Sequence, residues 1–133
     1  NIIVSKVNKE GDIVKSVEAN LHLEGDFRKT SKKITWLADT KDKVEIDMVD
    51  FDHLITKDKL DENDNFEDFI TPETEFHTKG FADLNVGKLK AGDIIQFERK
   101  GYFRVDKPSE EGKPAVLYTI PDGKAVSRYG AKK

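Results

Sequence analysis

Apolar and polar residues alternate in twos along much of the chain, the period of a strand with one buried face. In residues 44–52 this alternation puts Val44, Ile46 and Met48 on one face, with Glu45, Asp47 and Asp50 turned away or near it. Residues 2–7 and 13–23 flank Lys9-Glu10-Gly11-Asp12, a pattern that predicts strand, turn and strand. Residues 33–38 (KITWLA) and 53–60 (HLITKDKL) read as further short strands. Residues 61–70 are acidic and predict a loop or a short helical turn, with Phe66 and Phe69 as anchors. Residues 71–84 read as extended with a break at Gly80. Residues 90–93 predict a turn into a strand through Glu98, and residues 116–120 a strand that ends at a turn over 121–124. The tail, residues 127–133, reads as loose. No segment keeps a 3.6-residue period through three turns, and no internal repeat is present. Many short strands separated by turns predict an all-β barrel or sandwich.

The stretch Gln96-Phe97-Glu98-Arg99-Lys100-Gly101-Tyr102-Phe103 carries the strongest candidate chemistry. A three-residue loop, Arg99-Lys100-Gly101, pairs Glu98 with Tyr102, Phe97 with Phe103 and Ile95 with Val105. It gathers Ile95, Phe97, Phe103 and Val105 on one face and puts Gly101 at a left-handed position. The other face then shows Gln96, Glu98, Tyr102 and Arg104, with Arg99 and Lys100 at the tip and only Ile94 out of pattern. This set suits an unpaired base. A glutamine amide both donates and accepts, matching uracil's edge. Arginine adds donors to a carbonyl or phosphate, and a tyrosine ring offers a stacking surface. Residue types alone favour a plainer reading, in which such cross-strand polar pairs only decorate a sheet.

Composition narrows the class. The 133 residues suffice for one domain, or for two small barrels that share strands. The absence of cysteine excludes disulfides and thiolate metal sites and fits a reducing compartment. No apolar run reaches the about 18 residues of a membrane span, and no signal peptide is recognisable. The chain opens at Asn1 inside a strand-like run, as expected of a piece cut from a longer protein. The net charge of −3 argues against a generic nucleic-acid binder, but it is unevenly spread. Residues 28–33 hold four bases, Arg28, Lys29, Lys32 and Lys33, and no acid. Residues 58–75 hold eight acids against one base, Lys59, and read as a charged loop. Screening confines each field to about 8–10 Å, so a local basic loop can bind phosphate on an acidic protein.

Other features carry less. His22, His53 and His77 have no metal-ligand spacing. His22-Leu23-Glu24-Gly25 lacks the second histidine of a His-x-Gly-His nucleotide signature and sits at a strand end. Asp50 and Asp52 read as solvated strand-end charges, residues 90–93 as a turn rather than a phosphate loop, and Trp36, between apolar neighbours, as core packing rather than a base platform. No nucleophile and base pair up, so neither a catalytic nor a metal site is expected within the chain.

The stretches LKAGDIIQFERKGYFRVDK, KKITWLAD and VDFDHLITKDKL together closely resemble the C-terminal anticodon-binding region of eukaryotic and archaeal-type glutamyl-tRNA synthetases, which glutaminyl-tRNA synthetases share. The likeness runs the length of the chain, and the ending YTIPDGKAVSRYGAKK is most similar to fungal cytosolic glutamyl enzymes. The resemblance implies two β-barrels, with strands passing between them. The proximal one would span roughly residues 1–25 and 85–125 and the distal one roughly 26–84, with a first strand missing before Asn1. It implies a tRNA-Glu anticodon-loop binder belonging to a cytoplasmic ligase. The ligase's ATP and magnesium chemistry would lie in an absent catalytic domain, so this chain would hold no cofactor of its own. In the family's Gln-Phe-Glu-Arg motif the glutamine and arginine contact the middle anticodon uracil, which assigns that role here to Gln96 and Arg99. Arg28, Lys29, Lys32 and Lys33 would supply loop and phosphate contacts, with Lys100, Tyr102 and Arg104 as secondary RNA contacts. Multisynthetase partners would be reached through absent N-terminal regions, and neither membrane nor DNA binding is implied. Two alternatives stay open. One is the matching domain of a glutaminyl enzyme; the other is a protein-interaction barrel docking through residues 58–75.

Overall fold

The computed structural model describes residues 1–123, which form two compact units, Asn1–Ile34 and the chain from Thr35 onward. The last residue of the expected 121–124 turn and the whole of the 127–133 tail lie outside the described residues.

The first unit is an antiparallel ribbon of β1 (Ile2–Glu10) and β2 (Ile13–Leu21), as the sequence pattern predicts. One face gathers Ile2, Val4, Val7, Val17 and Leu21, because the pairs Ile2–Leu21, Val4–Ala19 and Val7–Val17 point the same way. The other face is mostly polar, with Ile3 and Ile13 among its residues. Lys6 and Glu18 lie 3.0 Å apart, and the Asn8 amide donates to the Ser16 hydroxyl at 3.1 Å. Beyond the ribbon, a single 3₁₀ turn, Phe27–Lys29, is capped at its start by Asp26, whose Oδ1 accepts from the Arg28 N–H at 2.9 Å.

The second unit is built on one five-stranded mixed sheet, from β3 (Val44–Phe51), β4 (Glu75–Ala82), β5 (Ile94–Phe97), β6 (Gly101–Lys107) and β7 (Ala115–Ile120). Its order is β4-β3-β7-β6-β5; β3 and β7 run parallel and the other pairs antiparallel. The period-two pattern sets the core. Ile46, Ala82, Phe103, Val105, Ala115 and Leu117 project from one face and are buried with Val86, which a 3₁₀ turn at Leu84–Lys88 supplies. Val44, Met48, Ile95 and Phe97 complete that face, as expected from their spacing. The fold is therefore all-β apart from 3₁₀ turns, and no closed barrel forms among the described residues.

Three local expectations are corrected. Residues 33–38 form no strand; the segment carries Trp36 in irregular backbone. Residues 53–60 contribute only one bridge, Ile55 to Ile70. Gly80 does not break β4 but pairs with Ile46, whose side chain lies at ordinary contact distance, 3.9 Å, from where a Cβ would stand. The acidic stretch forms the expected short helical turn at Phe66–Phe69. Ahead of it Lys57 binds both Asp61 and Asp64, which raises the Lys57 pKa through the Asp61 hydrogen bond first and the Asp64 bond second.

On the sheet face away from the core, His77 bridges two carboxylates, with Nδ1 2.9 Å from Asp47 Oδ2 and Nε2 3.0 Å from Glu75 Oε1. Two acceptors favour the doubly protonated ring, so the His77 pKa is raised, chiefly by the Asp47 hydrogen bond and then by the one to Glu75. Asp47 depends on this contact, since its other oxygen is buried with no hydrogen-bond partner among the described residues. A raised histidine pKa stabilises the fold below the unfolded value, near 6.5, and that contribution disappears as pH rises through the folded value. The urea midpoint is thus expected to fall as pH is raised above about 6.5, and this fall should be much smaller in His77→Gln. An equal fall in the variant would show that another group is responsible.

Candidate nucleic-acid interface

The hairpin of β5 and β6 positions most of the candidate residues. It closes through three residues, as expected, but they are Glu98-Arg99-Lys100, because Phe97 pairs with Gly101, Gln96 with Tyr102, Ile95 with Phe103 and Ile94 with Arg104. The register therefore differs from the expected one by two residues on β6. A two-residue shift leaves every side chain on the same face. Ile95, Phe97, Phe103 and Val105 point to the core, while Gln96, Tyr102 and Arg104 point outward and are exposed. Phe97 and Phe103 touch with ring centroids 5.2 Å apart. That contact holds the outer residues on a stiff support.

The shift changes which residue bears the unusual backbone. Arg99 has φ 64°, the left-handed region, and Gly101 has φ 124°. An arginine there costs about 1–2 kcal/mol of local strain that glycine avoids. Its side chain is tethered. Nη1 donates to Glu98 Oε1 at 2.9 Å and to the Thr35 hydroxyl at 3.3 Å, and that hydroxyl in turn lies 3.4 Å from the Glu98 carbonyl oxygen. The Arg99–Glu98 pair is largely exposed, so water already weakens it, and a phosphate or base can displace the glutamate at little cost. Arg99→Gly is expected to leave the urea midpoint unchanged or raised while weakening RNA binding several-fold. A variant that loses stability would show that the tether outweighs the strain.

The outward face continues into β7, because Arg104 pairs with Tyr118 and Tyr102 with Ile120. Burial lifts the Tyr118 phenol above its usual pKa, reinforced by a hydrogen bond to Asp106 and the nearby charges of Asp106 and Glu75. The Phe51 ring meets Tyr118 edge-on at 5.1 Å. Lys100 turns the other way, toward a recess it lines with Met48, Asp50, Thr78, Phe103 and Thr119.

The four bases of residues 28–33 belong to the first unit. Arg28 lies 5.7 Å over the Phe27 ring. Lys33 is committed locally, with Nζ donating to the Phe27 carbonyl at 2.6 Å and to Thr30, which leaves Arg28, Lys29 and Lys32 as the less committed cations of that loop. Gln96, Tyr102 and Arg104 thus share a face with Arg99 at its tip, while Lys100 lies off that face. Two residues escaped sequence reasoning. Trp36, expected in the core, is 78% exposed. Thr35 holds the hairpin tip, and nothing in its neighbourhood in the sequence signals a partner 64 positions away.

The 90–93 turn is closed on itself, since the Lys90 N–H donates to Asp93 Oδ2 at 2.8 Å and the Asp93 N–H to the Lys90 carbonyl at 3.1 Å. No cluster of three or more histidine or carboxylate ligands occurs among these residues.

Comparison with known proteins places the chain in a family. Residues 33–106, more than half the chain, match the family model described as tRNA synthetases class I (E and Q), anti-codon binding domain. The chain is 63% identical to the cytoplasmic glutamate–tRNA ligase of Saccharomyces cerevisiae over 133 residues, covering 100% of this chain and 18% of that protein. It is 58% identical to the probable cytoplasmic glutamate–tRNA ligase of Schizosaccharomyces pombe, covering 99% of this chain and 18% of that protein. Against the bifunctional glutamate/proline–tRNA ligase of Cricetulus griseus the identity is 36%, over 100% of this chain and 10% of that protein. The chain therefore spans about a fifth of the length of these two cytoplasmic ligases. On the match over residues 33–106, it belongs to the anticodon-binding domain family of the class I glutamyl- and glutaminyl-tRNA synthetases.

Proposed function

We propose that this chain is the part of a cytoplasmic glutamate–tRNA ligase that holds and reads the anticodon loop of tRNA-Glu. Glutamate activation with ATP belongs to the remainder of such an enzyme. The observation that carries the reading is the exposed hairpin face on which Gln96, Tyr102 and Arg104 stand together, with Arg99 at its tip. The Gln96 amide can donate to a uracil carbonyl and accept its N3–H. Arg99 supplies further donors once its exposed glutamate partner is displaced. Tyr102 gives the base a flat surface, and Arg104 adds positive charge for the backbone. Arg28, Lys29 and Lys32 serve as phosphate contacts, because lysines without fixed geometry position RNA rather than read it.

In this reading the two sheets are portions of the family's proximal and distal barrels. Because β7 lies between β3 and β6, strands from both sides of residue 85 share one sheet, in keeping with strands that pass between the two barrels. The half-exposed apolar face of the β1–β2 ribbon is what a barrel wall presents before its neighbours cover it.

The test is a titration against tRNA-Glu and against a transcript with the middle anticodon uracil changed to cytosine. Cytosine reverses the donor and acceptor pattern at two positions, so the change should weaken binding by about 1–3 kcal/mol, or about 5- to 150-fold. Equal binding of the two transcripts would remove base reading from the hairpin. Tighter binding of tRNA-Gln than of tRNA-Glu would move the assignment to the glutaminyl branch.

A further inference from the structure

Trp36 is the chain's single tryptophan, and it is 78% exposed. Indole is the largest side chain, highly buried on average, and it usually finds a partner for its N–H when buried. Among the described residues Trp36 makes no ring contact and no side-chain hydrogen bond. Its neighbour in the chain, however, is held. The preceding residue, Thr35, accepts a hydrogen bond from the Arg99 guanidinium and lies against the Glu98 carbonyl, which ties this segment to the hairpin tip. The arginine doing so sits in a left-handed conformation that costs energy, a kind of strain that concentrates at ligand-binding positions. An uncovered indole thus stands one residue from the anchor of an RNA-reading arginine.

We propose that Trp36 is a stacking platform for an unpaired base of the RNA that the hairpin binds; this rests on the anticodon-loop reading given above. Every base has a π-face, so an indole surface contributes affinity without choosing among bases. Gln96 and Trp36 would then divide the work. Gln96 discriminates uracil from cytosine, and Trp36 strengthens both complexes alike. A purely apolar contact, by contrast, would be served as well by leucine as by an aromatic ring.

Because Trp36 is the only tryptophan, its fluorescence reports on this site without any substitution. Titrating this chain with tRNA-Glu should shift and quench the emission saturably, with the midpoint found independently from the anisotropy of end-labelled RNA. Trp36→Tyr should bind nearly as well as the parent. Trp36→Leu should bind about 5- to 100-fold more weakly, by the same factor for the uracil and cytosine transcripts, and should unfold at the parent's urea midpoint. If labelled RNA binds while the emission stays constant and Trp36→Leu binds normally, the stacking role is overturned and the anticodon reading stands. A leucine variant as tight as the tyrosine one would assign Trp36 to apolar packing instead. If the parent binds no RNA by anisotropy, the platform falls together with the reading on which it rests.

Discussion

Replacing Leu117 with alanine is expected to destabilise the second unit by about 2–5 kcal/mol, the range for emptying a buried leucine site. Leu117 is 0% exposed and sits on β7, the central strand. It stands beside Met48 on β3 and Val105 on β6, and Val105 is also fully buried. Removing its branched end leaves a cavity that these strands cannot close, because hydrogen bonds on both sides fix their spacing at about 4.8 Å. A domain of this size has only about 5–15 kcal/mol of stability, so the loss is a large share of the whole. Urea unfolding of the chain should show a much lower midpoint with an unchanged slope. Ile94→Ala, on the outer face and 66% exposed, should stay within about 0.5 kcal/mol of the parent. If Leu117→Ala unfolds like Ile94→Ala, the parallel β3–β7 pairing that buries this leucine is wrong.

The second large effect concerns recognition. Gln96→Ala removes an exposed amide opposite Tyr102 and disturbs no packing. Its urea midpoint should match the parent, while the preference for uracil over cytosine at the middle position should shrink by about 1–3 kcal/mol. Gln96→Glu is the sharper variant. A carboxylate only accepts hydrogen bonds, whereas uracil offers two acceptors and a single donor. Cytosine's amino group meets a carboxylate better, so the glutamate variant should lose the uracil transcript preferentially and can reverse the order. Parallel titrations of both variants against both transcripts give the four affinities needed. Preservation of the parent's uracil preference in both variants would show that Gln96 does not face the base.

These two positions illustrate how differently the chain's features could be read. The core face of the strands flanking Leu117 was legible, because alternation in residues 44–52 and around the Gln96 hairpin assigns each of their side chains to a face whatever the strand order, whereas the burial of Leu117 itself came from the pairing of β7 with β3 and β6. The outward set Gln96, Tyr102 and Arg104 even survived a register that differed from the expected one, since a shift of two preserves facing. The long matching stretches carried the family just as directly. Three things were not legible. Trp36 looked like core because its neighbours are apolar, but local hydrophobicity cannot say whether a strand will form to bury it. Gly80 looked like a break, yet pairing with β3 holds it in the strand. His77 looked isolated until strand pairing set it between Asp47 and Glu75.

By itself, then, the sequence determined the all-β class, the facing of the strand residues in 44–50 and 94–105, and the candidate reading set, because all of these follow from period-two alternation and from motifs continuous along the chain. The tertiary structure alone decided the parallel β3–β7 pairing, the left-handed arginine at the hairpin tip, the Thr35 tether and the uncovered indole beside it. Those features arise from contacts between residues up to 64 positions apart, and one strand's pattern contains nothing about which other strand or loop will lie against it.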